Sequence, residues 1–279
     1  MLEASCSTCS RCHSTRSSCG LWRHDVKALM WKELRENRMK MIVGCVLLSV
    51  MGVAVSIAYR FLEGGIPGMG QIPPEYADLI KKLLPDFSNV NAYLYSQWFS
   101  KNLQQVGAIL AVVLLSGAVA GERELHTAIF LFSRPVSRGM ILASKVIVLV
   151  GGLVLAVLVS TGGAVLGAVV VGKTPQLAFL LTATLHSVIA LVTFASLATL
   201  LSVLVPDRMK AMLFSGGIII VLAVVGQFKP LRWLNPLALF GSPILIQRPV
   251  PQFVPIVVGV VLSACMLWIS YHMLQRQEF

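Results

Sequence analysis

Charged residues are scarce in this 279-residue sequence. They make up 13% of it, against about 25% in an average soluble domain. Hydrophobic residues reach 56%. Too few charges remain to coat a soluble globule of this size, which argues against a cytosolic enzyme and against a disordered or collagen-like chain. A disulfide framework is missing as well: four of the six cysteines fall within the first 19 residues, and Cys45 and Cys265 sit in apolar runs. Residues 1–20 have no apolar core of a secretory leader, so the first apolar run is expected to stay in the membrane as an anchor. Groupings for Ser/His/Asp or Cys/His catalysis are absent too. The five histidines are scattered, and every acid lies outside the long apolar runs.

What the sequence has is long runs of Val, Leu, Ile, Ala and Gly. A helix needs about 20 apolar residues to cross roughly 30 Å of hydrocarbon. Six windows free of Asp, Glu, Lys and Arg reach 18 residues or more: 41–59, 102–121, 146–172, 174–206, 211–228 and 249–275. Backbone groups cannot stay unpaired in lipid, so each run is expected to be a helix. The 174–206 window is too short for two crossings, and the fifth window contains Gly216-Gly217. Residues 229–248, with Trp233, Pro236, Phe240 and Pro243, read as an interfacial or partly re-entrant connection.

Orientation follows from Lys and Arg. With the N-terminus inside, segments 1–40, 122–145, 207–210 and 276–279 hold 15 basic residues and the outside segments 8. Both termini are then cytoplasmic, in a multi-pass cell-membrane protein. The net charge of +11 is mostly a topology signal plus attraction to anionic lipid. Nucleic acid is not an expected partner, since there is neither a stacking platform nor a basic stripe on a soluble domain.

Two inside segments carry more information. In 21–40, Trp22, Val26, Leu29, Met30 and Leu34 share a broad helical face while Lys and Arg crowd much of the rest. This is expected to be an amphipathic helix in the headgroup plane; the plainer alternative is a solvated basic helix that only marks topology. In 121–139, a charged start, Gly-Glu-Arg-Glu, leads into an apolar stretch that Ser133-Arg134-Pro135 stops. Pro135 ends a helix there, and Ser137 can cap the next. A short apolar helix flanked by charges needs something to bury it, such as a partner protein.

The 121–145 segment resembles the loop of ABC-2-type transporter permeases. In that family a Gly-Glu-x-x-x-Gly-Thr pattern precedes Leu-Ser-x-Pro-Val-Ser-Arg and a Lys that opens the next span. Here it reads Gly121-Glu122-Arg123-Glu124, Thr127, Phe132-Ser133-Arg134-Pro135-Val136-Ser137-Arg138 and Lys145, with His126 in place of Gly. Lys32-Glu33-Leu34 is similar to the family's Lys-Glu-Leu start, and 73–100 to its first outer loop. The resemblance implies an exporter permease that pairs as a homodimer or heterodimer and docks separate ATP-binding subunits. ATP and magnesium are then on the partner, and this chain has no cofactor and is not itself an enzyme. It also implies that the helix between spans two and three is the coupling element, with Glu122, Glu124, Thr127, Pro135 and Arg138 in that role.

Several weaker signals are weighed beside it. Gly167 to Thr174 satisfies the spelling of a phosphate-binding loop, but it ends a membrane run and Pro175 follows at once, which is the wrong context. Gly163 and Gly167 form a Gly-x-x-x-Gly pair for close packing, within or between subunits. His186 in span four is either pathway-lining or hydrogen-bonded between helices. Cys6, Cys9, Cys12 and Cys19 have a spacing that could hold a metal, but 1–20 reads more simply as a disordered Cys/Ser-rich tail. The expectation is therefore an all-α membrane domain over 21–279. It has six transmembrane helices, an N-terminal interfacial helix and a short cytoplasmic coupling helix. A secondary transporter driven by an ion gradient and a non-transporting membrane scaffold are the alternatives. The former normally shows membrane carboxylates or broken helices, and Gly216-Gly217 is the sole hint of a break.

Overall fold

The computed structural model of the chain describes residues 15–63, 89–124 and 137–276, with side chains from Lys27 onward. Among the described residues there is no strand. Six helices are long and apolar enough to cross a membrane. They are α1 (Thr15–Glu63), α2 (Val90–Leu115), α4 (Arg138–Val170), α5 (Leu177–Leu204), α6 (Arg208–Val225) and α7 (Phe253–Arg276). The short α3 (Ala120–Glu124) follows α2.

Helix α1 is 49 residues long, about 74 Å at 1.5 Å per residue. The segment 21–40, expected as a separate helix in the headgroup plane, is continuous with span one. No Gly or Pro interrupts residues 21–43, so nothing in the chain breaks the hydrogen-bond ladder. In its described part Leu29, Glu33 and Asn37 are buried, while Trp31 and Leu34 are exposed.

Span two lies upstream of its window. It starts at Val90, where the Asn89 side chain accepts the Asn91 N–H at 2.9 Å, and ends at Leu115 rather than at 121. The window had been closed by Lys101, but that residue is exposed and donates to Gln97. The residues before it, Leu94, Trp98 and Phe99, are fully buried. The last part of the expected outer loop 73–100 is therefore membrane helix. Its centre, Leu94–Leu103, is wound as a π-helix.

The other windows hold with small changes. Ser137 caps α4 by accepting the Met140 N–H, as its position suggested. The 174–206 run is a single helix, α5. Gly216-Gly217 leaves α6 unbroken. The 226–252 connection winds through two 3-10 turns, Lys229–Leu234 and Pro236–Phe240, and the short helix Ile244–Gln247. It buries Leu239, Phe240 and Leu245 and packs on α5, so it folds back onto the bundle. Cys45 and Cys265 are free.

Helix α5 is central: 61% of its apolar stretch is buried, against 17% in α6 and in α7. The tightest seam joins α1 and α4. A side chain at Gly167 would meet Ser56 Cβ at 2.7 Å and Val53 O at 2.9 Å. One at Gly163 would meet Ser49 O at 3.1 Å, and one at Gly52 would meet Ser160 O at 2.7 Å. Ser56 Oγ donates to Ala164 O at 2.7 Å. The Gly163/Gly167 pair therefore packs within the subunit, and Gly167 has no room to serve a phosphate loop.

The segments expected inside gather at one end of the bundle. The start of α4 contacts α1 near Glu33, α3 contacts the end of α5, and Arg138 contacts the end of α7. The opposite end joins α1 to α2, where Tyr93 Oη donates to Val55 O at 2.8 Å and stacks near Tyr59.

Gly167→Leu is expected to force α1 off α4 and cost about 1–3 kcal/mol. Gly162→Leu, which meets nothing within 4 Å, leaves the melting temperature of the detergent-solubilised chain unchanged. Equal melting temperatures for the two variants would contradict the seam.

Candidate functional site

Where α1, α3 and α4 meet, three buried charges converge. Lys145, in the second turn of α4, reaches Glu33 Oε1 at 2.5 Å and Glu122 Oε1 at 2.8 Å. Its side chain is 5% exposed, and those of Glu33 and Glu122 are 4% and 10% exposed. Lys32, more exposed, comes within 3.4 Å of the same Glu122 oxygen and 3.5 Å of Glu36. Two ammonium groups thus face two buried carboxylates, and the cluster is close to neutral. Asn37 Nδ2 donates to Glu33 O at 3.2 Å and Lys40 Nζ to Asn37 Oδ1 at 3.0 Å. Glu33, Glu36, Asn37, Lys40, Glu122 and Lys145, with Arg208, line a cavity of about 380 Å³.

The local sequence explains the convergence. Glu33 follows Leu29 by one helical turn, so both face the bundle. Helix α3 is fixed at its start: the Val119 and Ala120 N–H groups both donate to Ser202 Oγ, at 2.9 and 3.0 Å. Arg123 Nη1 donates to Val203 O at 3.1 Å. One hydroxyl at the end of α5 thereby satisfies two donors that the short helix leaves open. With α3 held there, Glu122 points inward and Glu124 outward.

The expected coupling residues separate accordingly. Glu122 is in the ion cluster. Glu124 is exposed at the end of α3. Arg138 Nη1 lies 3.5 Å from Leu274 O near the end of α7. Thr127 and Pro135, and with them the expected coupling helix, lie outside the described residues. So do Cys6, Cys9 and Cys12 and the side chain of Cys19. The carboxylates of Glu33, Glu36 and Glu122 come within 4.8 Å of one another, a spacing a metal could use. Lys145 and Lys32 already fill the cation position between them, so the donor set does not fit a metal ion.

His186 sits elsewhere, fully buried on α5. Its Nδ1 is 2.8 Å from Thr182 O, and its Nε2 accepts the Gln252 N–H at 3.3 Å. A carbonyl can only accept and an amide N–H only donate, so the ring carries its proton on Nδ1. Both nitrogens are engaged with backbone, tying α5 to the connection before α7. The nearby Thr182, Thr184 and Ser187 hydroxyls donate to carbonyls of α5 itself.

Glu33 and Lys145 were not singled out from the sequence as site residues. The available signal was that both fall on positions that match the permease pattern, in Lys32-Glu33-Leu34 and at the start of span three.

A bundle of six apolar helices with buried charges at one end defines a multi-pass membrane protein. A family model described as "ABC-2 family transporter protein" matches residues 27–278. The chain belongs to the ABC-2 transporter family, whose members are membrane components of ABC transporters that lack an ATPase site of their own and generally pair with an ATP-binding subunit. No curated protein matches the chain in sequence.

Lys145→Met removes the shared cation and leaves two carboxylates buried. It is expected to destabilise the protein by about 3–5 kcal/mol, whereas Lys32→Ala, at a half-exposed pair, costs less than about 1 kcal/mol. Unfolding titrations in mixed micelles measure both. A Lys145→Met variant as stable as the parent would mean that the cluster is not a structural constraint.

Proposed function

We propose that this chain is the permease subunit of an ATP-driven exporter, pairing as a homodimer or heterodimer in the cell membrane with both termini cytoplasmic. ATP and magnesium bind on a separate ATP-binding subunit, which grips the segment between α3 and α4. The observation that carries this reading is the Glu33–Lys145–Glu122 cluster at the root of that segment. A force applied between residues 124 and 137 reaches α1 and α4 through the shared ammonium, α5 through Ser202 and α7 through Arg138. A load-bearing contact of this kind lets two states of a partner bias the membrane helices.

Glu122 then transmits rather than docks. Its carboxylate is occupied within the subunit, and the exposed Glu124 is the acid available to a partner. A groove of about 800 Å³ between α2 and α6 supplies a candidate route. Its walls are apolar, Ile109, Val112 and Ile220 among them, and Gln104, Gln105 and Gln227 stand at the end away from the ion cluster. The unbroken α6 and the lack of any Asp or Glu within α2, α4, α5, α6 and α7 weigh against the ion-gradient alternative.

Reconstituted vesicles test the assignment. Flux is expected only with ATP plus a separate ATP-binding subunit, and flux driven by a proton gradient alone would overturn it. In pull-down, Glu124→Ala is expected to weaken capture of that subunit, while Glu122→Gln retains capture and lowers ATP-driven flux by about tenfold, equivalent to ~1.4 kcal/mol on the barrier. Capture unaffected by Glu124→Ala would move the docking surface elsewhere.

A further inference from the structure

On the face of α1 turned away from the ion cluster, a second groove opens between α1 and α4, with a volume of about 1140 Å³. Trp31, Leu34, Ile42 and Val46 of α1 and Ile147 and Leu155 of α4 line it, and all six are exposed. Its floor is set by two glycines. A side chain at Gly152 would strike Met41 at 2.2 Å, so the helices are in contact there, whereas one at Gly151 would meet nothing within 4 Å and would project into the groove. The glycine seam at Gly52, Gly163 and Gly167 lies farther along the same helix pair, toward the opposite end of the bundle.

The end of the groove toward Lys27 is basic. Lys27 and Arg38 line it, and among the described residues no acid does. The acids of the same stretch of α1, Glu33 and Glu36, face the other cavity. Lys27, Trp31, Leu34 and Arg38 follow one another at spacings of four, three and four, which places them on one stripe of the helix. The stripe places cations and an indole at one end of an apolar trough, the residue types that favour the headgroup level of a bilayer.

We propose that this groove binds one anionic phospholipid from the leaflet at the end of the bundle that holds the ion cluster. An acyl chain lies in the trough over Gly151, and the phosphate is held between Lys27 and Arg38 with the Trp31 indole beside it. The charge pattern selects this occupant. A second copy of this chain packed groove to groove would bring its own Lys27 and Arg38 toward these, and a zwitterionic lipid would gain little from two cations with no acid among the described lining residues. The inference does not depend on the exporter assignment, because it concerns lipid binding by the chain alone.

The test uses the full chain, purified and placed in nanodiscs of equal parts phosphatidylglycerol and phosphatidylcholine, then returned to detergent. Retained lipid is counted by mass spectrometry. Phosphatidylglycerol is expected to be enriched about tenfold or more over phosphatidylcholine. Lys27→Glu with Arg38→Glu, both at exposed positions, is expected to abolish that enrichment. Gly151→Leu, which fills the trough, is expected to lower retention of phosphatidylglycerol with no loss of melting temperature. Equal retention of the two lipids, or enrichment that survives the charge reversal, would overturn the proposal. So would near-complete cross-linking between copies through Val46→Cys, which would put a second subunit in the groove.

Discussion

A lysine ammonium that lies almost out of reach of water must be neutralised where it stands. Lys145 meets that demand with two carboxylates from different parts of the chain, Glu33 from α1 and Glu122 from α3. The cost of stranding any one of the three fixes the relative positions of three helices that share no regular hydrogen bonds. Ser202 extends the same constraint to α5 by taking two backbone donors at the start of α3. The result is a short helix that is tied down on its inner side while its far end leads into the segment that the family pattern marks for coupling.

The crossings were legible because charge bounds them. Windows free of Asp, Glu, Lys and Arg located all six spans, and in α5 and α6 the match extends nearly to the ends. Span two shows the limit of that rule. A single exposed lysine closed its window, although Leu94, Trp98 and Phe99 before it are as deeply buried as Leu103, Ala111 and Leu115 after it. A charge on a lipid-facing or rim position and a charge inside the bundle look the same in a one-dimensional count.

The ion cluster was less legible for a related reason. Glu33 and Lys145 are 112 residues apart and Glu122 and Lys145 are 23 apart, and each reads singly as an ordinary residue flanking a span. Only the pattern shared with a family set them apart, and that pattern did not show that Glu122 faces inward while Glu124 faces out. The Gly-x-x-x-Gly pair was similar: the spelling signalled close approach, but its partner helix, α1, came from the three-dimensional arrangement. His186 and the hydroxyls around it read as a polar patch in a membrane helix. In the folded chain nearly all of that polarity is turned onto backbone carbonyls, and what remains serves as a tie.

The α1–α4 seam has a mechanical consequence. Backbone oxygens, small Ser and Val side chains and glycine Cα atoms meet there with little to rotate or slide, and the ion cluster pins the same pair again about four to six turns away. Two fastenings at different heights suppress both shear and twist. Any rearrangement within the bundle is thereby shifted onto α6 and α7, the outermost helices, so that the first and third crossings act as a fixed post around which the later ones swing.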